Sequence, residues 1–190
     1  MHVMTAPADP GIEIAPLLAR IPALLGDLRS DHAGETGAVM IYRGILARAT
    51  DPAIRRFAAQ HLATETGYLR LLEAMLAQGQ RSLLLPVWRM AGFLTGFLPA
   101  LFGPRAIYAT IEAVETFVGH HYAEQIARLG RTGEEGALRR LLETCQGEEV
   151  HHREAAAAAL GAAPRGPLLC AWAFLVGSGS AAAVAAARRI

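Results

Sequence analysis

The chain has 190 residues, a net charge of +1 and a mean hydropathy of +0.27. That length fits one domain with a substantial core, and the near-neutral charge excludes a protein that binds nucleic acid through a basic field. The two cysteines, Cys145 and Cys170, form neither a CxxC pair nor a disulfide framework, which points to a reducing, cytosolic compartment.

Residues 1–15 are rich in Pro and Ala and are expected to be disordered. They lack a basic region followed by an apolar run, so no signal peptide is expected. Leu24, Leu28, Val39 and Ile45 fall at helical spacing and predict a helix over 23–49. Asp51-Pro52 starts a second over 53–78, which Gly79 ends. Residues 83–103 are almost wholly apolar, but Pro86, Pro99, Gly92, Gly96 and Gly103 interrupt them, so one straight spanning helix is not expected. Gly103-Pro104 opens a helix over 104–129, and a Gly-rich linker leads to another over 134–160. Residues 166–187 carry no charge and are flanked by Arg165 and by Arg188 and Arg189. This apolar helix, extending to 188, is long enough to cross a bilayer. Its Ala, Gly and Ser content favours packing on the bundle or lying at a membrane surface.

Long helices, short linkers and no period-two alternation make the class all-α. The chain also repeats itself. Glu65 follows Glu35 by 30 residues and Glu148 follows Glu115 by 33, and a tyrosine stands seven residues after the first glutamate of each half, at Tyr42 and Tyr122. The repeat fits a ferritin-like four-helix bundle over 23–160, with a long apolar crossover between its second and third helices.

Four inward carboxylates cannot share an apolar core without a cation. Two lone Glu and two Glu-x-x-His steps hold a pair of irons in such bundles. Here Glu35, Glu65, Glu115, Glu148 and His151 are the candidate metal ligands. Carboxylates neutralise hard iron and imidazole is a neutral donor to it, and i and i+3 share a helix face. The first step departs from the scheme, with Tyr68 where His is expected. Tyr68 is a phenolate ligand, a neutral phenol beside a water-completed iron, or the mark of a disabled site. His61, one turn before Glu65, is a candidate replacement. His121, Tyr122 and His32, with Asp31, are candidates to orient the carboxylates. Glu112, Glu149 and Glu154 are expected to be solvated or ion-paired.

DHAGETGA at 31–38, LLLPVWRMAGFLTGF at 83–97, AVETFVGHHYAEQI at 113–126 and EEVHH at 148–152 resemble, in order, motifs of the demethoxyubiquinone hydroxylase family. These are di-iron monooxygenases of ubiquinone biosynthesis. The resemblance runs from about Leu28 through the helix ending near 160, and Tyr68 falls where the family has a histidine. It implies two iron ions held by Glu35, Glu65, Glu115, Glu148 and His151. It also implies dioxygen and a reductant as co-substrates, and ring hydroxylation of a polyprenylated benzoquinone. The substrate lives in the bilayer, so a peripheral position on the cytoplasmic face of a membrane is expected, with 83–103 and 168–187 facing lipid. A homo-oligomer would cover the same apolar surface. The competing reading is an iron-deficient, non-catalytic paralogue that binds quinone or an assembly partner, because of Tyr68.

Overall fold

The long helices form where the apolar periodicity and the turn residues direct them. In a computed structural model describing residues 11–190, the elements are α1 (Ile14–Arg20), α2 (Ala23–Arg48), α3 (Pro52–Met75), α4 (Leu85–Ala100), α5 (Pro104–Arg128), α6 (Gly133–Leu160) and α7 (Pro167–Ala187). Among the described residues there is no strand. Of the stretch expected to be disordered, residues 1–10 lie outside the described residues. The rest leads into α1, whose Ile14 and Leu17 are buried. Asp51 caps α3 by accepting from the amides of Ala53 and Ile54, and Pro52 occupies the first turn, where no amide is missed.

α2, α3, α5 and α6 make a ferritin-like bundle whose core has two apolar clusters. One includes Leu28, Tyr68, Leu72, Tyr122 and Cys145. The other includes Ile41, Tyr42, Ala58, Ile111 and Ala156. On each of the four helices a buried glutamate separates the two. Glu35 stands between Leu28 and Ile41, Glu65 between Ala58 and Tyr68, Glu115 between Ile111 and Tyr122, and Glu149 between Cys145 and Ala156. The bundle therefore carries a layer of carboxylates across its middle.

The apolar crossover contains a 16-residue helix, α4, shorter than a bilayer-spanning helix needs to be. Pro86 sits in its first turn and Pro99 in its last, where neither breaks the helix. Gly92 and Gly96 face the backbone of α2 at Gly37 and Ile41, and Gly44 of α2 faces the backbone at Phe93 and Phe97. The glycines serve close helix packing. Gly96→Ala places a methyl group on the carbonyl of Ile41. We expect it to cost about 1–3 kcal/mol by overpacking, read as a lower thermal midpoint. An unchanged midpoint would mean that α4 is not seated on α2.

α7 lies along α5 and α2. Trp172 Nε1 donates to Thr110 Oγ1 at 2.7 Å, Arg165 pairs with Glu112, and Arg188 pairs with Asp27 at 2.5 Å. Asp27 also holds Arg128 at 2.9 Å. Its outward side stays bare, with Leu168 86% and Phe174 76% exposed, while Phe102 just after α4 is 81% exposed. α7 is long and apolar enough to cross a membrane by length and composition.

Candidate metal centre

The carboxylate layer is built by helical register. In α3, Glu65, Tyr68 and Leu72 share the inner face. In α6, the buried positions Leu138, Leu142, Cys145, Glu149, His152 and Ala156 recur at steps of four and three. That register turns Glu149 and His152 inward and leaves His151 exposed on the outer side of the helix. The segment EEVHH offers two overlapping Glu-x-x-His steps, and burial favours Glu149–His152 over Glu148–His151. Glu149 is thus not solvated or ion-paired as expected but 2% exposed within the layer. Glu148 is buried beside it, with Oε2 4.0 Å from His152 Nε2. Glu112 does pair with an arginine, Arg165, and Glu154 with Arg153.

Glu65, Glu115, Glu149 and His152 each place one donor atom within 4.8 Å of the others, and all four are buried. Both carboxylate oxygens of Glu65, the second oxygens of Glu35 and Glu115, and His152 Nδ1 lack a hydrogen-bond partner. His152 Nδ1 lies 2.9 Å from Glu65 Oε1 without the alignment of a hydrogen bond. Orphaned buried donors and acceptors of this kind are costly. Their convergence is what a cation would satisfy, and the mix of carboxylate and imidazole suits iron.

Burial sets the electrostatics. It raises the Glu35, Glu65 and Glu149 carboxyls and pushes Glu115 up to about 7. Neighbouring carboxylates raise Glu65 and Glu149 further. Burial also lowers His61 to about 4 and His152 to about 2, keeping both imidazoles neutral at physiological pH. A neutral imidazole is the form that binds metal.

The two repeat tyrosines act reciprocally. Tyr42 of α2 donates to Glu115 of α5 at 3.0 Å, and Tyr122 of α5 donates to Glu35 of α2 at 2.6 Å. Each half of the repeat orients the other half's glutamate, a relation invisible in spacing alone. His121 Nε2 lies 3.1 Å from Asp31 and 3.1 Å from Ser30, and Gln125 donates to Asp31 at 2.6 Å. His32 is buried with neither ring nitrogen hydrogen-bonded, and its Nε2 is 3.9 Å from Glu73. His61 packs edge-on to His152, with ring centroids 4.1 Å apart, and stacks on Tyr42.

A cavity of about 360 Å³ opens against this layer between α2, α4, α5 and α7. Glu35, Glu115 and Glu149 form its polar floor, and Gly34, Ala38, Trp88, Val118, Trp172 and Ala183 are among its walls. Small residues on α2 and α7 make the room.

Residues 23–187 match the sequence model of the family described as ubiquinone biosynthesis protein COQ7. The chain belongs to this family. Among curated COQ7 relatives, the chain is 38% identical over 141 residues to the 3-demethoxyubiquinol 3-hydroxylase of Rhodospirillum rubrum, covering 70% of this chain and 64% of the relative. It is 33% identical over 130 residues to the NADPH-dependent 3-demethoxyubiquinone 3-hydroxylase, mitochondrial, of Dictyostelium discoideum, covering 66% and 59%. The human protein of the latter name is 31% identical over 135 residues, covering 67% and 60%. The chain thus spans about three fifths of the length of these COQ7 relatives.

Proposed function

We propose that the protein is a di-iron monooxygenase that hydroxylates the ring of a polyprenylated benzoquinone of the demethoxyubiquinone type. The observation that carries this reading is the buried layer of Glu35, Glu65, Glu115, Glu149 and His152, of which Glu35, Glu115 and Glu149 floor an apolar cavity. Glu35, Glu65, Glu115, Glu149 and His152 would hold two irons, which supply the binding and reduction of dioxygen. One oxygen atom is inserted into a ring C–H bond, giving a hydroxyl that keeps the hydrogen. The other leaves as water, with two electrons and one proton drawn from a hydride donor, for which the relatives' names supply NADPH, and a second proton from solvent.

The protein's own residues do the rest. Tyr42 and Tyr122 fix the orientation of Glu115 and Glu35. Trp88, Val118 and Trp172 exclude water around the ring. The bare sides of α4 and α7 form an apolar rim that suits peripheral docking on the cytoplasmic face of a membrane, where the lipid substrate resides. Phe102→Glu combined with Phe174→Glu is expected to weaken vesicle binding about tenfold or more, because each ring loses its apolar contact. Co-sedimentation with phospholipid vesicles checks this. Undiminished binding by the double variant would refute the docking face.

Expression in a bacterial strain lacking its own demethoxyubiquinone hydroxylase tests the function. Conversion of accumulated demethoxyubiquinone to ubiquinone supports it. Continued accumulation with the folded protein present favours the second reading, a non-catalytic quinone-binding paralogue, which Tyr68 in place of a histidine motivates.

A further inference from the structure

The two ends of the carboxylate layer carry different donors. Towards Tyr42, His152 reaches in from α6 beside Glu115 and Glu149, and His61 lies against it. Towards Tyr122, the residue one helical step past Glu65 is Tyr68, 2% exposed and packed in the apolar cluster with Leu72 and Cys145. His61 and Tyr68 are four residues before and three residues after Glu65 on one helix face. They therefore stand at opposite axial ends of the layer. His61 adds an imidazole where one already is, and cannot take the place of the one that Tyr68 removes. His121, which lies towards the Tyr122 end, has its Nε2 engaged by Asp31, Ser30 and Gln125. His32 has its Nε2 nearest Glu73, two turns past Glu65 on α3.

We propose that the two metal positions are unequal: the position at Glu115, Glu149 and His152 binds a divalent cation first and tightly, and the position at Glu35 and Tyr68 binds second and more weakly. Glu65 stands between them. The proposal rests on the di-metal reading above and deepens it, because that reading alone is indifferent to order. A neutral phenol is a poorer donor to a divalent first-row ion than imidazole. The Glu35 end thus depends on carboxylates alone, while the other end has an added neutral ligand.

Anaerobic calorimetric titration of the full chain with ferrous iron tests the order, with Mn(II) binding followed by electron paramagnetic resonance as a second probe. The expected isotherm has two steps whose dissociation constants differ by at least about tenfold. His152→Ala should remove the tight step and Glu35→Gln only the weak one, with circular dichroism confirming that each variant is folded. Tyr68→His should draw the two steps together. One retained equivalent in the wild type that becomes two in Tyr68→His supports the same conclusion in its extreme form. Two equivalents of equal affinity in the wild type, or an isotherm unchanged by Tyr68→His, would overturn the proposal. Absence of binding in both proteins would instead overturn the di-metal reading and the proposal with it.

Discussion

Glu65→Leu is expected to stabilise the metal-free protein and to abolish tight iron binding. Glu65 is fully buried, neither of its oxygens has a hydrogen-bond partner, and burial together with Glu35 and Glu115 drives its carboxyl upward. Without a cation this side chain opposes folding. A leucine of similar volume removes the desolvation cost and packs between the two apolar clusters. Replacing buried ionic groups with apolar ones of similar shape stabilises by about 1–4 kcal/mol, which for a chain of this size raises the midpoint by about 2–4 °C per kcal/mol. The same change removes the carboxylate that stands between the two metal positions. Thermal melting of the metal-free variant and its iron content after loading check both halves of the statement. A destabilised variant that still retains iron would show that Glu65 serves packing and the metal is held elsewhere.

Gly34→Leu should leave iron binding intact and lower kcat/KM for the quinone by about tenfold or more. Gly34 lies next to Glu35 in the cavity wall, and a Cβ added there meets no atom within 4 Å. The helix tolerates the change, since replacing an interior glycine gains about 0.5–1 kcal/mol of helix preference. The new side chain therefore goes into the space assigned to the ring. Loss of turnover with unchanged iron content and melting behaviour locates the substrate in this cavity. Full turnover would place the ring somewhere else.

The bundle was legible because its signals are local. Asp51-Pro52, Gly103-Pro104 and Gly161 mark helix ends that the structure reproduces within a few residues. The apolar periodicity of α2 and α3 also turned Glu35 and Glu65 inward without knowledge of any neighbour. In α6 two frames overlap, and burial distinguishes them. The steps from Leu138 through Leu142 and Cys145 lead to Glu149 and His152, whereas the glutamate spacing between the two halves led to Glu148 and His151. The apolar stripe is the better guide there, because burial of a helix face is cooperative over many turns while a Glu-x-x-His step is only three residues long. α4 was obscured for a different reason. Glycine at 92 and 96 lowers helix preference locally, and only the approach of α2 reveals what their missing side chains allow. α1, seven residues between Glu13 and Ile21, is too short to declare itself and depends on burying Ile14 and Leu17. The crossed bonds from Tyr42 to Glu115 and from Tyr122 to Glu35 join residues 73 and 87 positions apart, which no local pattern encodes.

A bundle that isolates four carboxyl groups and an imidazole between two apolar clusters is arranged around positive charge, and the cavity above that layer has the polarity of a lipid-soluble ring. Single-turnover reaction of the iron-loaded, reduced protein with a short-tailed demethoxyubiquinone under ¹⁸O₂ tests this most directly. The expected product carries one ¹⁸O on the quinone ring, formed by the wild type and absent with Glu65→Leu. Reduced, iron-loaded protein that consumes dioxygen yet leaves the ring unlabelled would contradict it.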